Sequence, residues 1–121
     1  MTELLIELPF PPSLNTYYRN VRGRMLLSAE GRQYKLNVLA HVLTACRGKP
    51  DPMTGRLSVD IQLHNPANRP YDIDNRPKAI LDALEESGVF VNDSQVDQLS
   101  VERKEAVKGG SCWVLIKQLE A

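Results

Sequence analysis

Apolar residues along this chain switch between two periods, and each switch marks an element. Leu4, Ile6 and Leu8 alternate with polar neighbours, so Thr2 to Leu8 predicts a strand with one face buried. Pro9, Pro11 and Pro12 stop it, because proline cannot donate to a sheet ladder. The stretch from Ser13 to Leu27 reads as a loop. From Ser28 the period lengthens. Tyr34, Val38, His41, Val42 and Ala45 recur at helical spacing, with Ser28 suited to the N-cap and Glu30 to the first turn. This helix is expected to reach about Cys46, with His41 as a packed or boundary residue on its stripe. Gly48, Pro50, Pro52 and Gly55 then mark a connecting loop.

Alternation returns at Leu57, Val59, Ile61 and Leu63, which predicts a second strand. Pro66 and Pro70 bracket a loop. A second helix is expected from about Asn75 to Ser87. Asp74 and Pro77 suit its N-terminus, Ile80, Leu81, Ala83 and Leu84 form its buried stripe, and Gly88 stops it. Gln98 to Ala106 and Ser111 to Leu119 read as strands around Lys108-Gly109-Gly110, a hairpin signal. The order β-α-β-α-β-β predicts an α+β fold: one two-layer domain over residues 1–121, with two helices against a small mixed sheet.

Size and composition narrow the class. A chain of 121 residues can bury one core without disulfides or a structural metal. No stretch approaches the roughly 18 uninterrupted apolar residues of a membrane span. Met1-Thr2-Glu3-Leu4 offers no basic start for a signal peptide, so a cytoplasmic protein is expected. Cys46 and Cys112 read as free thiols. Zinc finds no clustered ligands, with only His41 and His64 to help. Net charge is zero, but charge is unevenly spread. Arg19, Arg22, Arg24, Arg32 and Lys35 face a single acid, Glu30, whereas Asp82, Glu85, Glu86, Asp93 and Asp97 fall in a stretch without a base. Such a split suits one phosphate-binding face and one metal-binding face, and it equally suits two solvated surfaces.

The segment richest in chemistry is Arg69-Pro70-Tyr71-Asp72-Ile73-Asp74-Asn75-Arg76-Pro77-Lys78. In extended backbone, residues two apart point to the same side, so Asp72 and Asp74 can face one point. Two acids so placed repel unless a cation sits between them, and Mg²⁺ is the natural occupant. An EF-hand starting at Asp72 is excluded by Arg76, Pro77 and Ala83 where it needs a ligand, glycine and glutamate. A sugar transferase would also use such a pair, but no Gly-rich phosphate loop accompanies it. Asp74 could equally be a helix cap and Asp72 a solvated side chain. Lys78, four residues after Asp74, would share its helix face. It would then stabilise charge on phosphate, or simply pair with Asp74 or Asp82. Asn92-Asp93 is either a plain turn or a third acid brought back to the pair, which requires the chain to double back after Gly88. Arg19, Arg22, Arg24, Arg69, Arg76 and Lys104 are candidates for contacting DNA phosphates. Tyr17, Tyr18 and Tyr71 are either packing residues or stacking platforms for bases.

Taken together, the motifs resemble the RusA family of Holliday-junction resolvases over most of the chain. The resemblance is carried by Pro11-Pro12-Ser13 with Asn15, Tyr18 and Arg19, and by Ser28 to Gly31. Asp72-x-Asp74-Asn75 with Lys78 and Asp82-Ala83-Leu84 extend it. Gly88 to Asp93 with Gln95-Val96, and Lys108-Gly109-Gly110, complete it. It implies that Asp72, Asp74 and Asp93 bind Mg²⁺ and are needed for cleavage, with Lys78 in the active site. It also implies a Mg²⁺-dependent endonuclease that acts as a homodimer on four-way DNA junctions. Arg76-Pro77 before the lysine departs from the family pattern, and the loop from Gly48 to Arg56 carries none of the matching motifs, which leaves its role open. The sequence contains only one Asp-x-Asp, so two symmetric cuts would need two chains. The C-terminal strands, with Trp113, Leu115 and Leu119, are the expected interface. A Mg²⁺ nuclease on other branched or single-stranded DNA, and a junction-binding protein that does not cut, remain the alternatives.

Overall fold

The computed structural model describes residues 1–120. Its elements in chain order are β1 (Glu3–Leu8), α1 (Leu14–Tyr17), β2 (Tyr18–Val21), β3 (Arg24–Leu27), α2 (Ala29–Ala45), β4 (Leu57–His64), α3 (Pro77–Glu86), β5 (Val96–Arg103) and β6 (Ser111–Gln118). The expected α+β class and element order hold, with additions in the stretch expected to be a loop. Residues 13–27 instead hold the one-turn helix α1 and the two-stranded arm β2–β3. The arm escaped notice because both of its faces are largely exposed, so no apolar period marks it. Its tip turns on Arg22 and Gly23, both at positive φ. A two-residue hairpin turn of this kind requires that conformation at both positions.

The four-stranded sheet runs β1-β6-β4-β5. β4 is flanked antiparallel by β6 and parallel by β5. Leu57, Val59, Ile61 and Leu63 are almost fully buried, so the most apolar strand takes the interior. This corrects the expected hairpin: β5 and β6 lie on opposite sides of β4 and do not pair. The connection after β5 passes over the end of β4, where Lys104 N–H donates to the Leu63 carbonyl (2.8 Å) and Val107 N–H to the Asn65 carbonyl (2.9 Å). The glycines of Lys108-Gly109-Gly110 serve this crossing. A Cβ on Gly110 would lie 2.9 Å from Pro66 Cδ and 3.0 Å from Phe10 Cβ.

α2 and α3 cover one face of the sheet. The buried stripe of α2 is Gly31, Tyr34, Val38 and Val42. Ser28 caps it as expected, accepting from Gly31 N–H at 2.9 Å. His41 and Ala45 are exposed, so His41 is neither packed nor at the boundary. On α3, Ala79, Ile80, Ala83 and Leu84 are fully buried. The opposite sheet face carries Leu5, Trp113 and Leu115, with Leu5 and Leu115 paired across β1 and β6. β6 is an interior strand, so any partner approaching it would meet this face rather than a strand edge. Both cysteines are free thiols, and burial pushes Cys112 up to about 12. Among the described residues no helix is long and apolar enough to cross a membrane.

The closest backbone approach in this layer is at Gly31, where a Cβ would meet the Tyr17 carbonyl oxygen at 2.6 Å and Leu27 Cδ1 at 2.9 Å. Ser28 N–H also donates to that carbonyl at 2.9 Å, so α2 is seated on α1 through backbone. Gly31→Ala is therefore expected to destabilise the chain by about 1–3 kcal/mol, as overpacking does. Urea unfolding followed by circular dichroism measures this, and an unchanged midpoint would show that the contact is slack.

Candidate active site

The loop between β4 and α3 carries Asp72 and Asp74. Ile73 packs against the core while the acids on either side of it are exposed, but Ile73 bends and Asp74-Asn75 turn, so the acids do not sit on the extended run expected of them. The N-terminal segment braces this loop. Leu14 N–H donates to the Asn75 carbonyl at 3.1 Å, and Arg76 Nη1 donates to the Pro11 carbonyl at 2.9 Å. The Arg76 guanidinium lies 5.2 Å from the Phe10 ring centre and 5.7 Å from that of Tyr71. Burial pulls Arg76 below its ordinary value, the cost of using a cation as packing. Of the candidate DNA contacts, Arg76 is thus half-buried and engaged within the chain.

α3 begins at Pro77, whose fixed φ and missing N–H suit the first helical position. Arg76 occupies the N-cap without a side-chain bond, so the helix starts later than expected and Asp74 does not cap it. Lys78 consequently lies in the first turn, and Asp74 lies outside the helix. Its partner is one turn onward: Lys78 Nζ is 2.8 Å from Asp82 Oδ1 and 3.5 Å from Asp93 Oδ2. The hydrogen bond to Asp82, with the charges of Asp82 and Asp93, holds the Lys78 ammonium above its ordinary pKa.

Asp93 reaches Lys78 because the chain does double back after Gly88. Val89 N–H donates to the Leu84 carbonyl at 3.1 Å, and Met53 N–H donates to the Val89 carbonyl at 2.9 Å. Met53 and Phe90 form a parallel bridge. Asn92-Asp93 does form a turn, a 3₁₀ turn over Asp93–Gln95 with a capping box between Asn92 and Gln95. Asp93 N–H is also held by Glu85 Oε1 at 2.7 Å. The turn is bolted down by Gln95, which is buried. Its Oε1 accepts from Val91 N–H (2.9 Å) and Asn92 N–H (2.8 Å). Its Nε2 donates to the carbonyls of Met53 (2.9 Å) and Gly55 (2.8 Å). The 48–56 loop thereby gains a role: its second half docks the turn that carries Asp93.

Sequence reasoning passed over Gln95 and Glu85 as individuals; it offered Asp82 as an ion-pair partner of Lys78, and the structure forms that pair. The Asn92-x-x-Gln95 spacing is a capping-box pattern and was legible. The long-range partners of Gln95 and Asp82 were not. The structure brings Asp93 to Lys78 and leaves Asp72 and Asp74 exposed on the loop leading into the same helix. Among the described residues no group of three His, Cys, Asp or Glu side chains is gathered tightly enough to hold a metal ion.

Around these residues, Arg19, Arg22 and Arg24 are exposed on the β2–β3 arm. Arg69 is exposed and lines, with Asp72, Asn75 and Arg76, a cleft of about 810 Å³ between the N-terminal prolines and α2. Lys104 is half-buried and pairs with Glu102 at 3.0 Å. The tyrosines follow the packing reading. Tyr17 is fully buried and donates to Asp82 Oδ2 at 3.2 Å; Tyr18 donates to the same oxygen at 3.5 Å. Burial, then the charge of Asp82, raises the Tyr17 pKa well above its ordinary value. Tyr71 lies between Arg76 and Arg103, the latter 4.8 Å from its ring centre.

Residues 9–116 match the sequence profile of the family described as Endodeoxyribonuclease RusA, which puts the chain in the class of DNA-cutting nucleases. It belongs to the RusA family. The crossover junction endodeoxyribonuclease RusA of Escherichia coli strain K12 is 37% identical over 119 residues, covering 98% of both chains. That of Shigella sonnei strain Ss046 has the same identity and coverage. That of Enterobacteria phage 82 is 38% identical over 117 residues, covering 94% of this chain and 93% of its own.

Because Gln95 serves four backbone groups from a buried position, Gln95→Leu leaves the Met53 and Gly55 carbonyls without donors. A loss of about 2–3 kcal/mol is expected, since each orphaned buried polar group carries a desolvation penalty. Amide hydrogen exchange should locate the loosening at residues 53–55 and 91–95. Unchanged protection there would show that the turn is held by other contacts.

Proposed function

We propose that this chain is a Mg²⁺-dependent endonuclease of the cytoplasm that resolves four-way DNA junctions by paired, symmetric phosphodiester hydrolysis. The observation that carries this reading is the return of Asp93 to Lys78 at the head of the helix that Asp72 and Asp74 lead into. A surface that only binds DNA has no use for acids beside a phosphate. The names of the curated relatives, crossover junction endodeoxyribonucleases, support the choice of substrate.

Asp72, Asp74 and Asp93 are hard oxygen donors, the chemistry that Mg²⁺ takes, and they are the residues that would hold it. When bound, Mg²⁺ supplies Lewis acidity that polarises the scissile phosphate and acidifies water. The chain's own groups do the rest. Lys78 places a fixed positive charge where the phosphate oxygens gain negative charge. Arg19, Arg22 and Arg24 grip the DNA backbone from the arm, and Arg69 does so from the cleft beside Asp72. The working unit is a homodimer, which repeats one site with the two-fold symmetry that paired cuts require. Leu5, Trp113 and Leu115 on the uncovered sheet face are its apolar contact.

Asp72→Asn, Asp74→Asn and Asp93→Asn are each expected to abolish cutting of a synthetic four-way junction in Mg²⁺ while junction affinity in EDTA persists. A variant that cuts at the wild-type rate would remove that residue from the metal site. A wild-type chain that binds the junction and never cuts it would favour a binding protein instead. Sedimentation at micromolar concentration is expected to give about twice the chain mass. A monomer that persists with junction DNA bound would leave a nuclease without paired cuts.

A further inference from the structure

The edge strand β5 ends on a cation placed on the core side of the sheet. Residues two apart in a strand share a face, so Arg103 lies on the face of Val101, which packs against the core. It stands opposite the buried Leu63 of β4, yet it is exposed. Its side chain turns to the loop before α3. The guanidinium carbon lies 4.8 Å from the Tyr71 ring centre, and Nη2 donates to the Tyr71 carbonyl. Tyr71 is the residue before Asp72.

A guanidinium has five N–H donors, and this bond uses one. Among the described residues the others have no protein partner, and no carboxylate lies within 4.0 Å of Arg103. Arg76 reaches the same ring at 5.7 Å, and Arg69 is exposed on the same loop. Neither of these is paired with an acid among the described residues. An inward-facing charge also keeps an edge strand from pairing with another chain, but a lysine does that as well as an arginine. What lysine lacks is the flat fork, which lies against a ring and offers parallel N–H groups at its rim. That geometry suits an anion with paired oxygens. In a chain of zero net charge, the three guanidiniums set positive charge beside acids that would otherwise repel a DNA backbone.

We propose that Arg103 contacts a backbone phosphate of the DNA beside the one that is cut, with Tyr71 holding the guanidinium plane next to Asp72. β5 thereby serves the site through a residue whose backbone is fixed by its ladder with β4.

The inference rests on the junction-cutting reading above, and its binding test needs no metal. Junction affinity is measured in EDTA over a range of salt. Arg103→Gln is expected to weaken binding by about tenfold, the worth of a charge-assisted hydrogen bond. It should also lower the slope of log affinity against log salt by about one for each Arg103 engaged. Arg103→Lys keeps the charge, and should restore the slope but not the full affinity. Lys49→Gln, an equal loss of charge on the exposed loop after α2, should alter neither. Single methylphosphonates, each removing one phosphate charge, then locate the contact. One beside the cut that wild type makes in Mg²⁺ should weaken wild type by a similar factor and weaken Arg103→Gln no further, because coupled groups do not add. Equal losses in both proteins at every position around the branch point overturn the proposal. So does Arg103→Gln with wild-type affinity and slope. Weaker binding at an unchanged slope leaves Arg103 as a brace for the Asp72 loop, and this too overturns the phosphate contact. Arg103→Met, which keeps the apolar stem over the ring, carries the same readouts if Arg103→Gln does not fold. A wild-type chain that does not bind the junction removes the junction reading and this one together, whereas wild type that binds, with unaltered Arg103 variants, removes only this one.

Discussion

Carboxylates repel, and that constraint governs how this site is made. Side chains that push one another apart cannot hold their own backbone together, so the segments bearing them must be anchored elsewhere. Each acidic segment here is fastened by neutral backbone bonds or by a partner outside the site. The Asp72-Ile73-Asp74 loop is pinned through the Asn75 carbonyl to Leu14 and through Arg76 to Pro11. The Asp93 turn is pinned by the Gln95 amide and by Glu85. Asp82 is pinned by two tyrosine hydroxyls. The frame of the site is therefore hydrogen-bonded at several points, while Asp72, Asp74 and Lys78 stay exposed.

The same constraint explains the placement of the N-terminal motif. Prolines that end β1 carry the chain across to the loop before α3, and α1 then presents Tyr17 and Tyr18 to Asp82. Packing at Gly31 fixes α1 against α2. A backbone contact between two helices is thus linked, through Tyr17 and Asp82, to the lysine beside Asp93.

What could be read in advance follows from the range of the forces involved. β1, α2, β4 and the body of α3 declare themselves by local apolar period, and the structure returns them nearly as read. The start of α3 was misplaced because Asp74 has the chemistry of a cap, while Pro77 decides where the helix begins. The false hairpin arose because Gly109-Gly110 announces a turn but not what lies between the strands that it joins. β4 claims that place through its burial, which is a property of the whole sheet. For the site, the residue types and the Asp-x-Asp spacing were legible. That Asp93 comes home to Lys78 was left open, because the return depends on Gln95 reaching two carbonyls of a loop some forty residues earlier. Arg76 read as a free cation for the same reason: its ring partners, Phe10 and Tyr71, come from separate segments.

Sheet order also sets a schedule for assembly. β1 bonds only to β6, with Glu3 opposite Lys117 and Leu8 opposite Cys112. β1 must therefore wait for β6, and its pairing closes a loop that contains every other element described. Contacts so distant in sequence form slowly, because their loop entropy is lost before they return any stability. On the ribosome, α2 and α3 can form early, but the sheet they cover stays incomplete until β6 emerges. Until β6 is in place, a chain of this kind carries its acids and arginines on helices and loops that have no complete sheet to align them.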